Sequence, residues 1–600
     1  MFGISKRVIT ILFGLLALAF AVGAILLFTP QAGQQARGKP VLWVNGKALY
    51  ELDLLRLQGN DPLYAANPQG LLKTLVDTYF LEQVILTEAL KQDAARVRVS
   101  SAEVRREVER IRDQFGLRDK QAYEQFLNQV GYTDAQLRAE IKTQLQIQKR
   151  LEQIRSGAKP TPEEVRFYFE VHRDDYKTEP RVRARQIVVD DKALAEELAK
   201  RARAGEDFAA LAREHSKVGA EQGGALGASP GESEPKPVTQ VVFPEEVAQA
   251  VFALKGPGLV GPIAAGGRYY LVQVEAYLPA QVPTFEEVKD RVEQDAQRAK
   301  GNGVLEAYLE ELRKKAQVRF AEDNPYTYKN PVVATVNGKE ILLTQVLSPV
   351  FSNQQTAALL QQGLGELAVQ FFLPQTLESL IDRELLVEAA QASGKPFIGS
   401  KEEIAQAYLR YMTQDVEATE EEARRFYAEN PALFTDPASA EVIGVNFKEE
   451  AEAKAFREAA LRAEDLEALA KAHEGTVNNY GTVHPNQLPS VLDRLVFKIT
   501  ATFPKGPLGE VSEVIQQEDG TYTVLLIKNR KAEELKPFAQ VAEEARSGIL
   551  FRKRQEKAQA LIQELRSKAQ IENRLNQVLA ELTPKEAPSQ EPAQETPQNP

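Results

Sequence analysis

Glu206-Asp207-Phe208-Ala209-Ala210-Leu211-Ala212-Arg213-Glu214-His215-Ser216, followed by Gly223-Gly224-Ala225-Leu226-Gly227, joins a short helix to a glycine-rich turn, and the architecture follows from it. It returns in weaker form as Glu464-Asp465-Leu466-Glu467-Ala468-Leu469-Ala470-Lys471-Ala472-His473 and then Gly481. Phe208 and Leu466 stand 258 residues apart, as do Ala212 and Ala470. A helix turn, a short loop and a glycine step are kept at both places, which reads as a duplication.

Around the first copy, Arg183-Ala184-Arg185-Gln186-Ile187-Val188-Val189 reads as a strand, residues 193–204 and 208–215 as helices, and residues 247–254 as a third helix. Gly256-Pro257-Gly258 breaks the chain before a closing strand pair that ends in Tyr269-Tyr270-Leu271-Val272-Gln273-Val274. Strands at both ends with helices between make an α+β unit of roughly 100 residues. Ala440-Glu441-Val442-Ile443-Gly444-Val445, residues 466–473, Gly506-Pro507-Leu508-Gly509 and Thr521-Tyr522-Thr523-Val524-Leu525-Leu526 give the same order later on.

The flanks repeat too. Asn45-Gly46 and Asn337-Gly338 each sit between apolar runs, a two-residue hairpin signal. Helical stripes follow, Leu72, Leu75, Val76, Tyr79, Phe80 and Val84 in one half and Leu377, Leu380, Ile381, Leu385 and Leu386 in the other. Such stripes are expected to be core, although an exposed part of such a surface would form a cradle for other chains. Ser100, Thr161, Ser400 and Thr419 have the residue types and spacing of helix N-caps. A long charged helical pattern follows each α+β unit, over residues 285–318 and 538–582.

The chain has 600 residues, 26% of them charged, and a net charge of −11, which disfavours nucleic acid as a partner. It has no cysteine, hence no disulfide and no thiolate chemistry. Residues 8–28 are apolar apart from Thr10; as a helix they reach about 31 Å, enough for a hydrocarbon core of roughly 30 Å. Lys6 and Arg7 precede them, so the first residues are expected in the cytoplasm and the bulk across the membrane. A cleaved signal peptide ending near Ala19-Phe20-Ala21 is the rival reading, although the run exceeds a usual signal core.

The order Ala184-Arg185-x-Ile187-Val188-Val189, Gly205-Glu206-Asp207-Phe208-Ala209-x-Leu211-Ala212, Gly223-Gly224-x-Leu226-Gly227, Ala250-Val251-Phe252-Ala253-Leu254 and Gly261-Pro262-Ile263 resembles the parvulin (PpiC, rotamase) class of peptidyl-prolyl cis/trans isomerases. The flanking hairpins and helices and the N-terminal span resemble the SurA/PpiD-like group of membrane-anchored extracytoplasmic chaperones. The resemblance implies an α+β fold in which parvulin-like domains, each a small antiparallel sheet with helices, are inserted in mainly helical SurA-like modules behind one transmembrane helix. The expected division is a cytoplasmic start (1–7), the span (8–28), a first helical module (41–178), a parvulin-like domain (179–279) and a helical return (283–322). A second module (332–434), a degenerate parvulin-like domain (435–532), C-terminal helices (535–582) and a disordered tail (583–600) complete it.

Rotating a prolyl peptide bond against a barrier of about 18–20 kcal/mol needs no covalent step, only preferential binding of the twisted amide. The resemblance places the proline pocket at Phe243 and Val247, with Phe252 in the same stretch. It places the two family histidines at Gln186 and Tyr270, and the family's Cys or Asp near Val218. Two readings therefore stand: an isomerase reduced by the loss of both histidines, or a non-enzymatic chaperone or scaffold whose parvulin-like units only bind peptide or partner proteins. No cofactor or metal is expected, because no cluster has ligand spacing. The expected partners are unfolded or proline-containing polypeptides, the membrane and the translocation machinery. His215 and His473 are expected to complement helix dipoles, Asp190-Asp191 to cap a helix, and the glycines at 223–227 to make a turn rather than a phosphate loop. His172 and His484 are read as isolated.

Overall fold

The computed structural model describes residues 38–59, 61–129, 133–498, 503–517 and 519–583. The span at 8–28, most of the segment before residue 40 and the tail after Thr583 lie outside the described residues. Among those described, no helix is long and apolar enough to cross a membrane. The chain divides into two compact units, residues 1–414 with 557–600 and residues 415–556.

Unit 1 opens on β1 (Pro40–Val44) and β2 (Lys47–Tyr50), joined through Asn45 (φ 48°) and Gly46 (φ 84°), the left-handed pair that a tight hairpin requires. The helices α1 (Glu51–Gly59), α2 (Pro62–Ala65), α3 (Gly70–Ala94), α4 (Ser101–Gln114), α5 (Lys120–Gln129), α6 (Asp134–Gly157) and α7 (Pro162–His172) follow. The α+β portion consists of β3 (Arg181–Val189), α8 (Lys192–Arg203), α9 (Phe208–His215), α10 (Glu245–Ala253), β4 (Gly258–Ala265) and β5 (Arg268–Leu278), in an antiparallel sheet ordered β3-β5-β4. After α11 (Phe285–Lys315) and β6 (Val318–Phe320) the pattern restarts with β7 (Val332–Val336), β8 (Lys339–Leu342), α12 (Leu343–Phe351), α13 (Gln354–Gln361), α14 (Gly365–Ala392) and α15 (Lys401–Thr413).

Unit 2 contains α16 (Glu420–Glu429), β9 (Thr435–Asp436), β10 (Ser439–Phe447), α17 (Glu450–Ala460), α18 (Leu466–Ala472), β11 (Thr476–Val483), α19 (Ser490–Asp493), β12 (Lys505–Gly506), β13 (Gly509–Val511), β14 (Ile515–Gln516), β15 (Tyr522–Lys531) and β16 (Glu534–Leu535). The helix α20 (Phe538–Lys568) begins in unit 2 and ends in unit 1, where β17 (Ile571–Asn573) and α21 (Leu575–Leu582) close the described chain.

The two long helical readings are corrected here: each helix stops early and is followed by a three-residue strand. β6 adds to β1 and β17 adds to β7, giving sheets ordered β2-β1-β6 and β17-β7-β8. The hairpin asparagines explain why. Asn45 donates its N–H to Gln317 O (2.8 Å) and accepts Gln317 N on Oδ1 (2.9 Å); Asn337 does the same with Gln570 O and N, both at 2.9 Å. The duplication is also unequal: 61 residues separate Ser100 from Thr161, but only 19 separate Ser400 from Thr419, and the shorter gap has no counterpart of α5 and α6.

Both apolar stripes are core. Leu72, Leu75, Val76 and Tyr79 of α3 share one buried cluster with Val333, Leu347, Leu377 and Ile381, so neither stripe is an open cradle. At exposed α14 positions, by contrast, Leu367 is 61% and Phe371 67% accessible.

The helix starts read from sequence carry reciprocal caps. Ser100 N donates to Glu103 Oε2 (2.9 Å) while Ser100 Oγ accepts Glu103 N (3.3 Å), and Thr161, Ser400 and Thr419 pair with Glu164, Glu403 and Glu422 in the same way. The Lys149 ammonium, with the Ser100 cap, holds the Glu103 carboxyl down to about 2, and Lys553 with Thr419 does the same to Glu422. A depressed carboxylate contributes stability above its ordinary value of 4.5 and loses it as pH falls through its folded value. As pH falls from 4.5 to about 2, amide protection, measured against the intrinsic exchange rate at each pH, is therefore expected to fall at residues 101–104 and 420–423. In Glu103→Gln and Glu422→Gln that pH dependence should disappear at the respective helix start.

Candidate functional site

The pleat of β3 decides which side chains meet. After a bulge between Arg183 and Ala184, Ile187 and Val189 face α8 and α9, packing on Leu198, Phe208 and Leu211. Ala184 faces the other way, and strand alternation puts Gln186 on that same side. Cross-strand register pairs Gln186 with Val272 and Val188 with Tyr270, which makes Gln186 and Tyr270 diagonal neighbours on one face, a spacing of roughly 7–8 Å between residues.

Under this pair lies an apolar floor formed by Phe243, Val247, Val251, Val272 and Val274, with Phe252 and Tyr270 against it. Phe252 stands edge-on to Phe243 and to Tyr277, each at 6.4 Å between ring centres. Both Phe243, 7% exposed, and Val247, fully buried, belong to this apolar layer. Among the described residues, neither the Gln186 amide nor the Tyr270 hydroxyl has a side-chain hydrogen-bond partner, and both residues are half-buried.

The loop after α9 is laid along the outer edge of β3. Gln186 N donates to Gly224 O (2.8 Å), Leu226 N to Ala184 O (3.0 Å) and Lys217 N to Val188 O (2.8 Å), while Ser216 Oγ accepts Val188 N (3.1 Å) and donates to Val218 O (2.8 Å). These bonds bring Val218, 40% exposed, toward the sheet edge. The glycines at 223, 224 and 227 stand in turns, as expected, with Gly224 also meeting the β3 backbone, and Asp191 caps α8 by accepting Leu194 N (2.7 Å).

Residues 160–290 and 418–543 match the PPIC-type PPIASE domain, and residues 4–151 match the SurA-like N-terminal domain. The chain carries two PPIC-type domains and a SurA-like N-terminal domain. It is 29% identical over 208 residues to the foldase protein PrsA of Caldanaerobacter subterraneus, covering 34% of this chain and 63% of that relative, less than two thirds of its length. Against the foldase protein PrsA of Clostridium botulinum it is 22% identical over 345 residues, 53% of this chain and 98% of the relative. Among solved structures, the peptidylprolyl isomerase PrsA of Bacillus anthracis aligns at 20% identity over 39% of this chain and 96% of its own, with a TM-score of 0.18. A SurA-like chaperone of Campylobacter jejuni aligns at 20% identity over 37% and 96%, with a TM-score of 0.24.

In the second PPIC-type domain the same register positions are Gly444, opposite Leu525, and Thr523, opposite Asn446. Thr523 is 1% exposed and its hydroxyl is spent on Asn446 Oδ1 (2.8 Å). A Cβ on Gly444 would lie 2.9 Å from the Tyr480 ring, which occupies that space. Leu488, Leu492 and Phe497 stand where the first domain has Phe243, Val247 and Phe252. The sequence signal for that correspondence is the Leu488-Pro489 step echoing Phe243-Pro244, which the weaker apolar pattern around it conceals.

His172 is not isolated: its ring stacks on Tyr168 at 4.1 Å, its Nδ1 is 3.0 Å from Asp175, and Asp175 accepts Arg410 Nη1 at 2.6 Å. His484 rests its Nδ1 3.1 Å from Ala438 O. His215 ends α9 beside Glu214 (3.5 Å) and Arg201 (3.4 Å), and His473 follows α18 with Glu452 at 3.1 Å. Each is held within its own structural contacts rather than over the apolar floor.

Proposed function

We propose that the chain is a membrane-anchored, extracytoplasmic folding factor that binds unfolded or newly translocated polypeptides and turns prolyl bonds at its first PPIC-type domain. The span at 8–28 would hold it at the membrane with a cytoplasmic N-terminus, and the translocation machinery is a proposed neighbour. The observation that carries the reading is the pair of uncommitted polar ends, Gln186 and Tyr270, diagonal to one another over the Phe243 floor. A proline ring on Phe243 would place its amide beside a carboxamide and a phenol, two neutral donors able to bond the amide as it twists. The accessible Leu367 and Phe371 on α14 are proposed contacts for unfolded chains.

The replacement of both histidines favours the second reading, a chaperone or scaffold whose PPIC-type domains only bind peptide. A protease-coupled assay on a prolyl tetrapeptide separates the two. Acceleration above the uncatalysed rate is expected, falling about tenfold or more in Phe243→Ala and less in Phe243→Leu, which keeps the floor apolar and controls for folding. Gln186→His with Tyr270→His is expected to raise kcat/KM. No acceleration by the unaltered chain, together with intact suppression of client aggregation, would establish the second reading.

A further inference from the structure

The second PPIC-type domain ends its sheet on a strand that the first domain lacks. In the first, the outer edge of β3 is closed by irregular backbone, including the mutual bonds of Val182 and Val238 (2.9 Å each). In the second, β11 pairs with β10 from Ala440↔Val483 to Asn446↔Thr476 and is the last strand of its sheet. Beyond that ladder, among the described residues, the backbone of β11 makes one further hydrogen bond, from Gly481 N to Asn479 Oδ1 (2.9 Å). Alternate N–H and C=O groups of an antiparallel strand point away from its partner, so this edge offers unpaired donors and acceptors.

Edges of this kind are usually blunted by lysine, proline, a bulge or a short length. β11 runs for eight residues, Thr-Val-Asn-Asn-Tyr-Gly-Thr-Val, with neither a charge nor a proline. Its one irregularity is the skipped Tyr480, opposite the step from Val442 to Ile443. A cavity of about 250 Å³ opens there, with Ile443 and Leu526 as its floor, Asn479 and Gly481 on the β11 side, and Glu441 and Lys528 at its mouth. Glu441 and Lys528 are cross-strand partners, so the mouth carries no net charge. Ile443 and Leu526 belong to the cluster around Phe456, on the face opposite the one occupied by Tyr480, Leu488 and Leu492.

We propose that β11 is a docking edge that accepts an extended, uncharged polypeptide segment as an added strand, with one apolar side chain of that segment seated in the cavity. Main-chain bonds would supply the affinity and the cavity the selectivity, as in other strand-addition sites. The charge pattern selects the occupant. In a chain of net charge −11, eight consecutive uncharged edge residues and a neutral mouth give a charged segment no counter-ion and an apolar one no penalty. That the segment belongs to an unfolded client rests on the folding-factor reading above; the edge itself does not.

The test is hydrogen exchange on the full chain with a capped eight-residue peptide alternating threonine with valine and one central phenylalanine. At saturating peptide, amides within 476–483 that exchange freely should slow by about tenfold or more. Two versions of the peptide, N-methylated on one or the other alternate set of residues, should differ, because only one set faces the edge: one loses the protection and the other keeps it. Val477→Lys with Asn479→Lys should abolish it while the β10 amides stay protected, which confirms the fold. Phe243→Ala should leave it unchanged, so a loss of isomerase activity and a loss of edge docking are read separately. No protection at saturation, equal protection by both N-methylated peptides, or protection that appears without peptide and grows with protein concentration would overturn the proposal, the last by assigning the edge to a second copy of the chain.

Discussion

Asp77→Ala is expected to lower the stability of unit 1 by about 3–5 kcal/mol, because it removes a fully buried carboxylate that three groups share. Tyr64 OH donates to Oδ1 at 2.8 Å, Lys73 Nζ to Oδ2 at 2.6 Å and Thr327 N to Oδ2 at 2.9 Å. Lys73 is partly exposed and can turn to water; Tyr64 and Thr327 N cannot, and a buried donor left without a partner costs about 1–3 kcal/mol. The position matters for more than its own bonds. Thr327 follows the return of the chain through β6, and the adjacent Thr78 hydroxyl accepts Lys329 N at 3.1 Å, so α3 anchors the passage from the first half to the second through two neighbouring side chains. Burial beside Asp77 holds the Tyr64 phenol far above its ordinary range, so it stays a neutral donor at any working pH. Denaturant titration of the full chain, with amide exchange reading α3 and residues 326–329, checks the effect. Asp77→Asn retains an acceptor and should cost less; a loss below about 1 kcal/mol in Asp77→Ala would show that the three donors find other partners.

The sequence disclosed what local chemistry determines. Asn45-Gly46 and Asn337-Gly338 made their hairpins, and Ser100, Thr161, Ser400 and Thr419 started their helices, because turns and caps are settled within a few residues. The closing strands β6 and β17 were not legible. Three residues are too few for a strand period, and both exist through a contact with an asparagine more than 200 residues away. The absent pair α5 and α6 was present in the numbers, since the spacing between caps differs in the two halves, yet only the packed helices show what the difference means. At the site, the resemblance named Gln186, Tyr270, Phe243, Val247 and Phe252 without saying which are accessible. The structure gathers Phe243, Val247, Phe252 and Tyr270 in one apolar cluster, buries Val247 completely, and sets Gln186 on the same face of the sheet. The apolar stripes were ambiguous between core and cradle because periodicity reports that a face is covered, not what covers it. Tyr480 filling the Gly444 space is likewise a tertiary event, invisible to any pattern within the strand.

Gly224→Ala is expected to disable the first PPIC-type domain with the site residues themselves untouched. Gly224 has φ +73°, where a Cβ costs about 1–2 kcal/mol. That Cβ would also overlap the Gln186 carbonyl oxygen and lie 3.0 Å from the Ala212 Cβ. Neither neighbour can yield: one is β3 backbone, and the other is a fully buried residue of α9 packed under the sheet. Overpacking of this kind costs about 1–3 kcal/mol, so the combined loss is about 2–5 kcal/mol if the fold stays closed. The cheaper response is for the loop to leave the edge, which breaks the bond from Gln186 N to Gly224 O and frees Val218 and Ser216 from their places beside the sheet. Gln186 then loses the backbone restraint on one side and no longer holds its diagonal relation to Tyr270. In the tetrapeptide assay this should appear as a fall in kcat/KM of about tenfold or more, accompanied by fast exchange of the Gln186 and Val188 amides. Gly223→Ala, whose Cβ would meet the Ala209 side chain at 3.1 Å without touching β3, provides the comparison and should open the edge less. Equal activity and unchanged exchange in Gly224→Ala would mean that the approach of this loop does not position Gln186.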